Sequence, residues 1–272
     1  MRASPSGVTA SPVDALHTAA GHILRSRRIV AFTGAGVSTE SGLPDFRSDS
    51  GLWAGVDPLE VASLSAFRRR PEVFYQFYRA RLAQLGGAQP NPAHHALVAL
   101  EAHGLSTVIT QNVDGLHQAA GSRRVIELHG NLREAACPAC GWRGPIALIT
   151  DALDRNDLPS CPVCGSRPKP NVVLFEELLP ADAYEAAEKE VRSVDVLLVV
   201  GSSLQVTPAA RLPEVARSHG ATLIIANDEP TAIDGRAEVI LRGRAGKVIP
   251  DLVAVVAAGL GLYLCARPEA LT

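Results

Sequence analysis

The 272-residue chain is 47% hydrophobic and 20% charged, with a formal net charge of −2. That length fits one large domain, or one domain with a smaller insert, and supplies enough apolar residues for a sizeable core. The near-balanced charge excludes bulk electrostatic binding to DNA or to an anionic membrane.

Residues 1–12, MRASPSGVTASP, hold one arginine and no apolar run, which predicts a disordered start without a signal peptide. A helix is predicted over Asp14–Arg27 and a strand over Ile29–Thr33. Further Val/Ile/Leu runs predict strands at Thr107–Thr110, Val194–Val200, Thr222–Ala226 and Glu238–Leu241. Such near-continuous apolar runs suit strands buried on both faces of a parallel sheet. Helices are predicted at Pro71–Leu85, from Asn91-Pro92 to Gly104, at Ala181–Arg192 and at Pro208–His219. The rhythm is α/β, with a Rossmann-like parallel sheet.

Two segments break that rhythm. Residues 48–90 look helical, with Pro, Gly and aromatics mixed in, and residues 132–175 carry the paired cysteines and several prolines. We read both as inserts that form a smaller domain, leaving 13–47, 91–131 and 176–272 to the sheet domain. Leu252–Ala266 is interrupted by Gly259 and Gly261 and is shorter than the about 20 residues of a spanning helix. It predicts a buried C-terminal helix and tail, in a protein expected to be cytoplasmic, without membrane or direct nucleic-acid binding.

Polar residues gather at predicted strand ends. The first strand runs into Gly34-Ala35-Gly36, where glycines let the backbone turn tightly beside a phosphate. A dinucleotide fingerprint would need glycine at position 39, where Thr39 stands. Ser38, Thr39, Glu40, Asp45 and Arg47 then surround Pro44 and Phe46. The next strand ends in Gln111-Asn112-Val113-Asp114, a later one in Gly201-Ser202-Ser203, and another in Asn227-Asp228. In open α/β sheets the ligand lies beyond the carboxyl ends of the strands. Four such ends describe a polar ligand laid across the sheet.

The cysteines give the sharpest signal. Cys137-Pro-Ala-Cys140 and Cys161-Pro-Val-Cys164 are two knuckles that predict one tetrahedral four-thiolate zinc site. Gly141 and Gly165 permit the turn after each pair. Four thiolates close the shell, so the zinc should be structural. His129, just upstream, is not needed by the metal, which leaves it free for chemistry or for an ordinary structural role.

Taken together, GAGVSTESGLPDFR, TQNVDGLH, ELHG, the two cysteine pairs, GSSLQV and the asparagine in IIAND resemble the sirtuins, NAD-dependent protein-lysine deacylases. Order and spacing match from about residue 14 to about residue 258. The resemblance implies NAD as consumed co-substrate and acyl-lysine entering a cleft between the two domains. It implies a cofactor loop containing Gly34, Ala35, Gly36, Thr39, Glu40, Asp45, Phe46, Arg47 and Trp53. Gln111, Asn112, Val113 and Asp114 would hold the nicotinamide-side ribose and carboxamide. Gly201, Ser202, Ser203, Asn227, Asp228, Glu229 and Ala245 would hold the adenosine end. His129 would be the general base, with Asn112 also catalytic, and the products would be free lysine, nicotinamide and acyl-ADP-ribose.

The acyl group is read from the second segment. Tyr78 and Arg81 share a helix face at i, i+3 spacing, where a phenol and a guanidinium can clamp a carboxylate. On spacing alone the pair reads as a packing tyrosine and a surface arginine; sirtuins that remove succinyl or malonyl groups carry this pair in the corresponding segment, and that resemblance implies the clamp. VVLFEE, residues 172–177, resembles the substrate-pairing strand, with Val173 and Phe175 expected to meet the peptide. Two positions depart from the family pattern: Thr39 replaces an alanine of the acidic-acyl members, and Glu176 replaces a usual glycine. His94, His95 and His117 are read as surface or packing residues, and Trp142 as packing. Alternatives are a zinc-ribbon binding module, and an ADP-ribosyltransferase or NAD hydrolase on the same fold.

Overall fold

The computed structural model describes residues 11–45 and 51–265. Helix α1 spans Pro12–Arg25, with Ser11 as its cap, so residues 11 and 12 open a helix rather than close a disordered tail. The predicted disordered start otherwise lies outside the described residues. Strand β1 is Ile29–Thr33. Short helices α2 (Pro58–Val61) and α3 (Leu64–Arg69) precede α4 (Pro71–Gly86) and α5 (Pro92–Leu100). Then follow β2 (Leu105–Thr110), α6 (Leu116–Ala120), β3 (Val125–Glu127), β4 (Gly130–Ala136), β5 (Arg143–Pro145), α7 (Ala147–Asp154) and β6 (Lys169–Val172). The chain finishes with α8 (Ala181–Val191), β7 (Val196–Val200), α9 (Leu212–Ser218), β8 (Thr222–Asn227), β9 (Val239–Arg242) and α10 (Ala245–Cys265).

Six strands form one parallel sheet in the order β3-β2-β1-β7-β8-β9. Every residue of β1 and β7 is buried, because helices cover both faces and leave no polar side to the strand. One core layer joins α1, α5 and α10 to the sheet, the other joins α8 and α9. The strand order reverses between β1 and β7, which is where an open α/β sheet leaves a crevice at its carboxyl edge.

The remaining strands, β5-β4-β6, make a small antiparallel sheet. Its core draws on both inserts: Phe67, Phe74, Tyr75 and Tyr78 pack with Leu132, Ile149, Val172 and Leu174. The Asn91 cap shows how local chemistry serves the site. It closes a capping box with His94 at the start of α5, worth about 1 kcal/mol. Its amide also donates to the Val37 carbonyl (2.8 Å) and to Ser41 Oγ (3.0 Å), tying the loop after β1 to α5. Among the described residues no helix is long and apolar enough to cross a membrane.

Candidate functional site

The strand order puts the four polar strand ends side by side, on β2, β1, β7 and β8. At the reversal point the loop after β1 lies directly on the loop after β7. The Gly36 amide donates to the Gly201 carbonyl at 2.8 Å. A Cβ on Gly36 would sit 2.8 Å from Gly201 Cα, and one on Gly34 would sit 2.8 Å from the Gly201 carbonyl oxygen. The glycines are therefore required first by contact between two loops of the protein itself.

Gln111 bridges the ends of β2 and β7 through Nε2 to Ser202 Oγ (2.8 Å). Asn112 is buried. Its Nδ2 donates to the Gly34 carbonyl (3.2 Å) and to Ser38 Oγ (3.1 Å), and Ser38 donates to Asp114 Oδ2 (2.8 Å). Asn112 Oδ1 has no protein partner although it is buried. An unmatched buried acceptor costs about 1–3 kcal/mol, which a ligand hydroxyl or amide would relieve. The residue lines a cleft of about 380 Å³, open mouth included, with Ala35, Ser38, Pro44, Arg81 and Asp114.

Two histidines lie behind this edge. His94 and His117 are fully buried, with ring centroids 4.9 Å apart, while His95 is exposed. His117 Nε2 lies 2.9 Å from Thr33 Oγ1, which donates to Thr110 Oγ1 (2.8 Å); His94 Nε2 faces Ser38 Oγ at 3.4 Å. Burial pushes both imidazoles down, His117 to about 3 and His94 to about 4. Sequence spacing leaves them as surface or packing residues because their partners stand 56 and 84 positions away. The one local signal is His94 at the third position of its capping box.

His129 stands between β3 and β4, half-buried. Its Nδ1 is 2.9 Å from the Gln111 carbonyl. A carbonyl only accepts, so Nδ1 carries the proton and Nε2 is the basic nitrogen. Burial lowers its pKa below the usual histidine range, against the opposing pull of the Gln111 carbonyl. The ring is thus neutral near pH 7.

The remaining cofactor candidates divide. Glu40 accepts from the Gly246 amide (2.6 Å) at the start of α10, beside Ala245, and Thr39 Oγ1 donates to the Gly36 carbonyl (3.2 Å). Asn227 Nδ2 donates to the Glu229 carbonyl (2.7 Å), folding the turn after β8 around exposed Asp228. Ser203 follows the bridge, and Val113 and Asp114 face the cleft. The Asp45 carbonyl accepts from the Leu52 amide (2.6 Å). Phe46 and Arg47 lie outside the described residues. Trp53 stacks on Phe77 (5.7 Å) and meets Phe175 edge-on (5.8 Å), within the small lobe's aromatic cluster.

Tyr78 is buried in that cluster, and burial raises its phenol well above the usual range, so it stays a donor. Arg81 is half-buried and lines the cleft. Burial lowers its pKa, while Tyr78 and Asp114 favour its charge. The Val173 amide donates to the His129 carbonyl (2.9 Å), so any pairing of Val173 with a peptide is left to its own carbonyl.

The four cysteine sulfurs lie within 4.8 Å of one another, with Cys137–Cys164 at 3.6 Å and Cys140–Cys161 at 3.7 Å. A tetrahedron of Zn–S bonds near 2.3 Å has sulfurs about 3.8 Å apart, so the sulfurs are placed to bind one zinc ion. Gly141 and Gly165 take φ of +74° and +73°, and their amides turn back to the Cys137 and Cys161 carbonyls, both at 2.9 Å.

A family model described as "Sir2 family" matches residues 34–208. An NAD-dependent protein deacylase 2 of Archaeoglobus fulgidus is 46% identical over 242 residues, covering 88% of this chain and 95% of that protein. The crystal structure of a Sir2 homolog–NAD complex superposes with a TM-score of 0.83 at 42% identity, covering 89% of this chain and 94% of that one. Sir2Af2 bound to a myristoylated histone peptide gives 0.76 at 39% identity, covering 92% and 99%.

Proposed function

The chain belongs to the Sir2 family, and from that premise we propose that it is an NAD-dependent protein-lysine deacylase with His129 as general base. The observation that carries the reading is the buried, unmatched Asn112 Oδ1 at the end of β2, next in sequence to Gln111, whose carbonyl holds a neutral His129 with Nε2 as its basic nitrogen. NAD supplies the ADP-ribosyl group that accepts the acyl. Gly34, Ala35 and Gly36 belong to its cofactor loop, Gln111–Asp114 hold its nicotinamide end, and Gly201–Ser203, Asn227–Glu229 and Ala245 its adenosine end. His129 Nε2 takes a proton from a ribose hydroxyl, and the Gln111 carbonyl keeps the imidazole in the tautomer that can do so. The cysteine tetrad holds one structural zinc, and acyl-lysine enters beside Val173 and Phe175.

We further infer that Tyr78 and Arg81 clamp an acidic acyl group. Arg81 lines the same cleft as Asn112, and the phenol of Tyr78 remains a donor at all working pH values. A carboxylate bound by a guanidinium gains about 1.5–3 kcal/mol per charge-assisted hydrogen bond. The test is turnover of paired acetyl-lysine and succinyl-lysine peptides, with and without NAD, by wild type and Arg81→Met. NAD-dependent succinyl turnover that falls about tenfold or more in Arg81→Met, with acetyl turnover spared, is expected. Acetyl turnover alone, indifferent to Arg81, contradicts the clamp.

A further inference from the structure

Glu176 has φ +73°, a left-handed backbone that residues other than glycine rarely adopt. Its carboxylate holds Ser65 twice. Oε2 accepts from the Ser65 amide at 2.7 Å, and Oε1 accepts from its hydroxyl at 3.0 Å. These bonds, helped by Arg69 and Arg68, keep the carboxyl below its usual range and therefore ionised. Ser65 lies in the first turn of α3. The residues just before it form a parallel bridge with the substrate segment: the Leu64 amide donates to the Phe175 carbonyl (3.0 Å), and the Phe175 amide to the Ala62 carbonyl (3.1 Å). Two residues earlier, the Val173 amide is bonded to the His129 carbonyl.

Residues 173–175 are thus fastened to the catalytic histidine at one end and to α3 at the other, and Glu176 closes the α3 end. A glycine at 176 would take the left-handed backbone freely but would have no carboxylate to offer Ser65. Local strain persists where surrounding bonds over-determine it, and here the two Ser65 bonds do so.

We propose that Glu176 is a positioning residue for the acyl-lysine substrate, its carboxylate locking α3 to residues 173–175 and so setting the Val173 carbonyl and the Phe175 ring relative to His129. The proposal rests on the deacylase reading. It concerns the peptide and not NAD, so it predicts a split between their kinetic constants. Glu176→Ala and Glu176→Gly should raise KM for an acyl-lysine peptide about tenfold, the scale of losing the two Ser65 hydrogen bonds. KM for NAD and kcat should hold. Glu176→Gln, which keeps an acceptor for the Ser65 amide, should restore most of the peptide affinity, and Ser65→Ala should fall between. Peptide Kd by fluorescence anisotropy on the same variants supplies a reading independent of turnover. Peptide KM and Kd unchanged in Glu176→Ala, or moving together with KM for NAD, would overturn the proposal. A Glu176→Gln protein as weak as Glu176→Ala would overturn it too, by assigning the effect to charge. A wild type that neither binds nor turns over acyl-lysine peptide would overturn the deacylase reading, and the proposal with it.

Discussion

At the carboxyl edge of the six-stranded sheet, Gln111, Asn112 and Ser202 stand where fully buried parallel strands deliver them, and each is bonded to a neighbouring strand end. Across the cleft, Tyr78 and Arg81 on α4 and Val173 and Phe175 after β6 are set among two short helices, a three-stranded sheet, an aromatic cluster and four cysteines. The first half derives its geometry from a large core. The second has a smaller core, four cysteines placed to bind one zinc ion, and a few polar staples such as Glu176 on Ser65. The sheet half should therefore tolerate loss of any single polar contact, and the small lobe should not.

Removing a zinc thiolate tests that contrast most severely. Structural zinc sites supply about 10 kcal/mol or more of folding free energy. Cys161→Ser should lose the metal, unfold the small lobe and abolish turnover, while the sheet half stays folded. Metal content and the fluorescence of Trp53 and Trp142, both in the small lobe, would report it. A zinc-free Cys161→Ser protein with intact fluorescence and activity would erase the distinction between the halves.

Gly36→Ala attacks the other side. Its Cβ would lie 2.8 Å from Gly201 Cα, backbone against backbone, and overpacking of that kind costs about 1–3 kcal/mol. The expected result is a raised KM for NAD and a lowered melting temperature with full zinc content. Unchanged NAD affinity would mean that the two loops are not a binding wall.

Acid should also act on the sheet half, more mildly. His94 and His117 titrate lower in the folded protein, near 4 and 3, than in the unfolded chain, near 6.5. Between those limits the unfolded state binds more protons, so stability rises with pH in that window and is lost as pH falls below about 6.5. The melting temperature of wild type should drop from pH 7 to pH 5, and that of His117→Gln should drop less. Parallel pH slopes would remove the histidine pair from the account.

The sheet half was more legible in the sequence than the small lobe. Strand ends at Thr33, Thr110 and Val200 follow from Val/Ile/Leu runs stopping at Gly34, Gln111 and Gly201, and a parallel sheet aligns such ends whatever else the chain does. The cysteine tetrad was legible because two knuckles leave few other geometries. The three-residue strands Val125–Glu127 and Arg143–Pro145 were not, since they are too short for a period to show. Nor were the roles of His94 and His117, whose hydroxyl partners are distant in sequence, or the use of the Val173 amide by His129. The left-handed Glu176 shows the same limit: the residue is visible as a departure from the family pattern, but Ser65, which holds it there, is 111 positions away.

The most direct test of the central claim follows the products of an acetyl-lysine peptide and NAD by mass spectrometry, with wild type and with His129→Ala. Wild type should give free lysine peptide, nicotinamide and acyl-ADP-ribose in equal amounts, and His129→Ala should turn over about 10²–10⁴-fold more slowly with NAD still bound. Peptide deacylated without NAD, NAD consumed without deacylation, or a fully active His129→Ala protein would contradict it.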